Sequence, residues 1–336
     1  MAATGSALPL SDFLAAPLRA GTPDGHGPLA VFPLFGPEPA LEYVAFAEGV
    51  ARGLLVKELE SGASVNDLVV LNPTDAHVLL YEGEEVLGAQ QNRTFDVSVL
   101  VPAGESLRVP VSCVEHGRWD GSRHREAFRP APQAAYPALR RMKNVAAHTR
   151  LAAGMEARAE QGAVWDEVAA KSSRLGAWSP TSAMHDVYEG RRDRLHAFQE
   201  AIPLHSGQTG ALAAIGGRVC VLDHVSRPDV FAALHGPLVQ GYALDAVEAE
   251  TTADAPPPVP PLAAATTFLA GLGTTRVTQH DAVGLGRDTR FATPRATGAA
   301  LVAGDELVQL TAFAADGRDD RRPATRARIR RPSRRR

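Results

Sequence analysis

Between Leu68 and Cys113 apolar residues recur at every second position and turn signals interrupt them at short intervals, which confines this stretch to a sheet of short strands. Leu68-Val69-Val70-Leu71 reads as a strand closed by Asn72-Pro73. Residues 77–81 read as a second, with Gly83 marking the turn after it. Phe95, Val97, Val99 and Val101 alternate with Asp96 and Ser98, as in a strand with one buried face. Pro102-Ala103-Gly104 then turns the chain into Leu107, Val109, Val111 and Cys113. Short strands joined by compact turns pair antiparallel, so a sandwich-like sheet is predicted over residues 65–114, with those last four side chains facing inward. Residues 41–55, before it, read as a helix.

Beyond the sheet the period changes. Gln161, Val164, Trp165 and Val168 share one helical face. Ser179-Pro180 reads as an N-cap with proline at the first helical position. Met184, Val187, Tyr188, Leu195, Phe198 and Ile202 continue as an apolar stripe that Pro203 ends. Gly216-Gly217 between residues 211–215 and 218–222 predicts a tight hairpin, because both turn positions need positive φ. Ser226, Pro228 and Asp229 read as a capped helix start. That helix is predicted to break at Gly236-Pro237 and resume through Tyr242 and Val247. Residues 299–302 and 307–313 form a last hairpin about Gly304-Asp305. With 30 Gly and 25 Pro the chain is no helix bundle.

The predicted fold class is therefore α+β: an antiparallel β-sandwich-like N-terminal half, a helical middle and C-terminal β-hairpins. Residues 1–26 are expected to be a flexible N-terminus and residues 27–315 a single domain, β-rich over 27–120, helical over 136–205 and mixed over 206–315. A Pro-rich linker is expected over 251–264, and residues 316–336 as a disordered Arg-rich tail.

The net charge of −3 conceals an uneven distribution. Residues 321–336 hold nine Arg and no acid, so the remainder carries 26 basic against 38 acidic residues. An acidic body excludes nucleic acid as its main partner, leaving at most weak binding through the tail. The cysteines, Cys113 and Cys220, are too few and too far apart for a disulfide framework, which suits a cytoplasmic protein. The first twenty residues, broken by Pro9, Asp12 and Pro17, are expected to be neither signal peptide nor anchor, and no apolar run is long enough to span a bilayer.

Three motifs stand out: Glu82-Gly83-Glu84-Glu85, then Gly88-Ala89-Gln90-Gln91-Asn92-Arg93, then residues 110–119 with Glu115, His116, Arg118 and Trp119. Together they resemble the ARG and Rhodanese-Phosphatase-superfamily-associated protein domain, in which ARG denotes ADP-ribosylglycohydrolase. Gln161-Gly162, Ser179 with Thr181 and Ala183, Gly207-Gln208 and Tyr242-Ala243-Leu244-Asp245-Ala246 extend the resemblance, which runs over residues 33–313. It implies a role near NAD-derived or phosphorylated metabolites, with ADP-ribosylglycohydrolase- or phosphatase-like proteins as partners. No particular cofactor or metal is implied.

Glu115, Arg118 and Trp119 follow directly on a strand, at the sheet rim. A guanidinium can grip a phosphate, an indole can stack on an adenine, and a carboxylate can accept ribose hydroxyls. The alternative is an Arg–Glu ion pair beside a half-buried Trp. Glu85, Gln91 and Arg93 share one parity, with Glu84 and Asn92 beside them. Glu85 and Glu115 are the candidate catalytic carboxyls, and Gln91, Asn92, Arg93, Arg118 and Trp119 the candidate ligand-binding set. Solvated charges at a hairpin tip are the competing reading of Glu84 and Glu85. Cys113 and His116 have opposite parity, so Cys113 reads as a small buried hydrophobe rather than a nucleophile. His185-Asp186 reads as the first turn of a helix, with the acid complementing its dipole.

Residues 316–336 should be dispensable for folding. A chain ending at residue 315 should keep a cooperative denaturant transition and lose any salt-dependent retention on immobilised nucleic acid.

Overall fold

The computed structural model describes residues 8–14, 16–60, 62, 64–119, 128–251 and 258–315. The Arg-rich tail, the first seven residues and residues 252–257 of the expected linker lie outside them. A nine-stranded antiparallel sheet forms the larger half, in the order Arg19–Ala20, Leu29–Phe35, Gly210–Ile215, Arg218–Val225, Glu306–Ala314, Ala296–Ala303, Arg287–Ala292, Thr278–Asp281, with Asp24–His26 also paired to Leu29–Phe35. Alternate side chains on its central strands go to opposite faces. Ala211, Ala213, Val221 and Val225 pack under the long helix Pro228–Glu250, while Leu212, Ala214 and Leu222 pack with Ala265 and Leu272 of the helix Leu262–Gly273.

The second half is the predicted sandwich-like unit. A six-stranded sheet runs Arg129–Ala134, Glu84–Leu87, Arg93–Phe95, Ser106–Cys113, Asp67–Leu71, Leu55–Lys57. A three-stranded sheet of Val99–Val101, Val78–Leu80 and Val44–Ala45 shares its core, so that Val78, Leu80 and Val101 pack with Leu68, Val70, Val109 and Val111. Helices Pro137–Ala152, Gln161–Arg174, Met184–Glu189 and Arg192–Ala201 make up the helical middle.

Several local expectations change. The alternating run from Phe95 to Val101 is two strands in two different sheets, because Asp96 in its middle is drawn to the buried Lys143, the Ser112 hydroxyl and the Ala159 amide. Leu107 is only half-buried, and from Val109 onward the strand is buried on both faces. Ser179 caps no helix at Pro180; its hydroxyl accepts from the Ala183 amide, and the helix begins at Met184. The stripe from Met184 to Ile202 is split into two helices at Gly190-Arg191. Pro237 sits inside an unbroken helix, since the carbonyl it strips of a partner belongs to the exposed Ala233. Residues 19–20 and 24–26, expected in a flexible N-terminus, are sheet strands, and a helix starts at Leu262 within the expected linker. Gly216 and Gly217 adopt the positive φ that the hairpin requires, at 62° and 76°.

One buried ion pair joins the two halves. Arg140, on Pro137–Ala152, donates from Nη1 to Asp223 Oδ2 at 3.0 Å and from Nη2 to Glu82 Oε1 at 2.9 Å, and Nη2 also pairs with Asp223 Oδ1. Asp223 lies in the nine-stranded sheet and Glu82 just ahead of Glu84–Leu87. The Tyr81 and Tyr242 hydroxyls donate to the same aspartate. Gly83 lies against this guanidinium with φ +85°, and a Cβ there would fall 2.7 Å from Arg140 Cδ. Gly83→Ala should therefore cost about 2–4 kcal/mol of stability in urea denaturation. Gly53→Ala, at φ +110° with open space around the new Cβ, should lose only the backbone share, about 1 kcal/mol.

Candidate functional site

Four separate segments meet at one end of the six-stranded sheet: the loop of residues 88–92, the chain from Glu115 to Trp119 after the strand Ser106–Cys113, the loop ahead of Met184–Glu189, and Gln133 on Arg129–Ala134. Backbone bonds fasten them together. The Gly117 amide donates to Thr181 O at 2.7 Å, and the Met184 amide to Val114 O at 2.8 Å. Gln161 completes the arrangement by bonding both the N–H and C=O of Cys113 through its amide, as a neighbouring strand would.

Glu115 is the hub. Its Oε2 pairs with Arg118 Nη2 at 2.7 Å and accepts from the Asn92 amide at 3.0 Å, while Oε1 accepts from the Thr181 hydroxyl at 2.8 Å. Arg118 also donates to Ala89 O at 2.6 Å and to Asn92 Oδ1 at 3.2 Å, holding the loop of residues 88–92. Within that loop Ala89 takes φ +44°, a conformation that costs a residue with a Cβ energy and persists only when neighbours enforce it. Gln91 bridges Glu115 O and the Arg93 guanidinium. Arg93 is fully buried, donates to Ser64 O and holds its guanidinium 6.0 Å from the ring centre of Trp119, which is 51% exposed. All seven sequence-predicted residues thus lie in one neighbourhood, with Arg93 and Gln91 beneath, Glu115 and Arg118 between, and Trp119 at the rim.

The Glu82-Gly83-Glu84-Glu85 motif divides in purpose. Glu82 pairs with Arg140, and Glu84 folds back to accept from the Tyr81 amide at 2.8 Å. Glu85 instead joins the cluster, its Oε2 accepting from Gln133 Nε2 at 2.6 Å, with the same Nε2 lying 2.8 Å from His185 Nδ1. Burial raises the Glu85 carboxyl to about 8, with Glu115 and Asp186 pushing the same way and only the Gln133 bond opposing. Burial also lowers His185, so that its ring stays neutral. Two oxygens here, Glu85 Oε1 and Gln133 Oε1, are buried with no partner among the described residues. Cys113 is buried with its thiol raised by desolvation, and its sulfur contacts the Glu115 backbone. Among the described residues no group of three or more His, Cys, Asp or Glu is placed to hold a metal ion.

Sequence reasoning missed Gln133 and underrated His185 and Thr181. Gln133 sits among prolines in a stretch with no period, and its partners are 48 and 52 residues away. Thr181 stood within a supporting stretch of the resemblance, yet nothing local marks it as the partner of Glu115.

The family model of the ARG and Rhodanese-Phosphatase-superfamily-associated Protein domain matches residues 17–313, and the chain belongs to that family. The name links it with ARG and rhodanese-phosphatase superfamily proteins. No curated protein and no solved structure matches it. Among the described residues no helix is long and apolar enough to cross a membrane.

Because Glu85 holds its proton more tightly when folded, its contribution is present below the unfolded carboxyl value near 4.5 and is lost as pH rises toward 8. Glu85→Gln should remove that loss. Relative to the parent chain the variant should gain roughly 1–3 kcal/mol between acidic and mildly alkaline pH, read from denaturation curves across the range.

Proposed function

We propose that the domain binds an ADP-ribose-like or other phosphorylated, NAD-derived metabolite at the cluster around Glu85, Glu115 and Trp119. The supporting observation is the pair of unpartnered buried oxygens on Glu85 and Gln133. Buried polar atoms nearly always find partners, and each that does not calls for an explanation, of which a ligand that completes the set is one. With Gln133 donating to Oε2, the proton of a neutral Glu85 resides on Oε1. A donor at Glu85 Oε1 and an acceptor at Gln133 Oε1 complement a hydroxyl, which both accepts and donates, as ribose presents. Trp119 at the rim offers a face for a base to stack on. In this reading Glu85 is also the acid or base if the metabolite is processed, since its carboxyl changes state near neutral pH. Glu115 stays paired with Arg118 and positions the loop of residues 88–92, with Gln91, Asn92 and Arg93 shaping the floor.

A second reading is favoured by the same Arg118, whose guanidinium is already engaged by Glu115 and two backbone carbonyls. That closed arrangement suits a noncatalytic module working beside ADP-ribosylglycohydrolase- or phosphatase-like partners. Cys113 and Cys220, which form no disulfide with each other, fit a reducing cytoplasm under either reading.

Thermal shift and titration calorimetry with ADP-ribose, AMP, ribose 5-phosphate and inorganic phosphate separate the two. Metabolite binding requires ADP-ribose to stabilise the protein, and Glu85→Gln and Trp119→Ala each to weaken it by roughly tenfold. If the native protein ignores all four ligands, the metabolite site falls and the noncatalytic reading stands.

A further inference from the structure

A second site lies at the opposite chemical extreme, far along the chain from the motifs. Where the strand Arg218–Val225 ends, a cleft of about 320 Å³ opens between the turn joining Ala296–Ala303 to Glu306–Ala314, the loop after Leu29–Phe35, and Phe13-Leu14. Its walls are mainly apolar, and the charged residues that line it are Glu38, Asp305 and Glu306, with no basic side chain among them. An apolar hollow with a few convergent polar groups is the ordinary form of a small-ligand site.

Three acceptors line it. His224 is 1% exposed, and its Nδ1 donates to Thr209 O at 3.0 Å, so the neutral ring presents Nε2 as a bare lone pair. Glu306 accepts the Ala40 and Leu41 amides on Oε2, at 2.6 and 2.8 Å, and leaves Oε1 buried without a partner. Ser226 Oγ sits 2.8 Å from the Tyr43 hydroxyl, and whichever of the two donates, the serine oxygen keeps a lone pair for a further donor. Gly36 keeps the hollow clear, because a Cβ there would come 2.9 Å from His224 Cε1.

We propose that this cleft binds a small organic ammonium ion, its apolar body against Phe13, Leu14 and Leu307 and its nitrogen donating to Glu306 Oε1, His224 Nε2 and Ser226 Oγ. An ammonium group supplies three donors and one positive charge, matching three acceptors and an acidic mouth. A carboxylate or phosphate would meet like charge, and a neutral alcohol would satisfy only part of the acceptor set.

The test is calorimetric titration of the full chain with 2-phenylethylammonium and butylammonium, with 2-phenylethanol and 3-phenylpropionate as neutral and anionic shape controls. At least one ammonium should bind tenfold or more tighter than the alcohol, about 1.4 kcal/mol, and the carboxylate should not bind. Glu306→Gln, which keeps an oxygen for the Ala40 and Leu41 amides, should bring the ammonium down to the level of the alcohol. Equal binding of alcohol and ammonium, no ammonium binding up to about 10 mM, or a preference that survives in E306Q would each overturn the proposal. Should E306Q fail to fold, the comparison of ligands on the native chain decides alone.

Discussion

The two halves of the molecule meet at a charge pair that water does not reach. Arg140 and Asp223 are both essentially inaccessible, and they belong to different elements: a helix that lies against the strands Arg287–Ala292 and Ala296–Ala303 and sends Ala147 into the sandwich core, and a central strand of the nine-stranded sheet. Stripping two charges of water costs several kcal/mol each unless every lone pair and proton is met. Here nearly all are. Burial alone would raise Asp223, but the Arg140 guanidinium and the Tyr242 and Tyr81 hydroxyls hold it below the usual carboxylate range. Glu82 takes a further proton of the guanidinium, and the rings of Tyr81 and Phe313 lie within 6 Å of it. Only a docking of the two halves at one relative position satisfies this set. The interaction is a register device between layers more than a source of net stability.

The same solution recurs with lysine, and the choice of residue is informative. The chain has three lysines against many arginines, and two of the three are buried. Lys143 donates to Thr94 Oγ1 and Phe95 O and pairs with Asp96, which in turn accepts from Ser112 and the Ala159 amide. Lys171 lies over the Tyr136 ring and pairs with Asp245 and Glu248 of the long helix. An ammonium fans its donors out from one point, whereas a guanidinium is a flat fork. Lysine fits where partners converge from several elements, and arginine where one carboxylate offers two oxygens side by side, as Asp223 does to Arg140.

Legibility in the sequence followed how local the determining interaction is. The hairpin at Gly216-Gly217 was readable because two adjacent residues specify it. The strands Asp67–Leu71 and Val78–Leu80 were readable because their turns are local too. The strand break at Asp96 was not, since its cause is Lys143, forty-seven positions onward and on a helix. Continuity of the long helix through Pro237 depends on the solvent exposure of Ala233, a tertiary property. The polar motifs announced that something happens near Glu85 and Glu115, and both lie in the cluster. What the motifs could not tell is that Glu82 and Glu84 serve the fold while Glu85 faces Gln133 and His185. Neighbours in sequence were assigned opposite duties by the pleat and by a glycine at positive φ between them.

Around Arg140 the carboxylate oxygens of Asp223 are saturated, each accepting from the guanidinium and from hydroxyls. Around Glu115 the account also closes, with Arg118, Asn92 and Thr181 covering both oxygens. One step away, at Glu85 and Gln133, it does not close, although these side chains are as thoroughly buried. A carboxyl forced toward neutrality by desolvation, beside an unfilled amide oxygen, gives up stability that the apolar surroundings could have supplied to an isosteric hydrophobe. Glu115 and Arg118 then have an intelligible task that needs no contact with any ligand. By holding Ala89 in its unfavourable conformation and tying the loop of residues 88–92 to the loop before Met184, they fix the backbone beside Glu85 and Gln133.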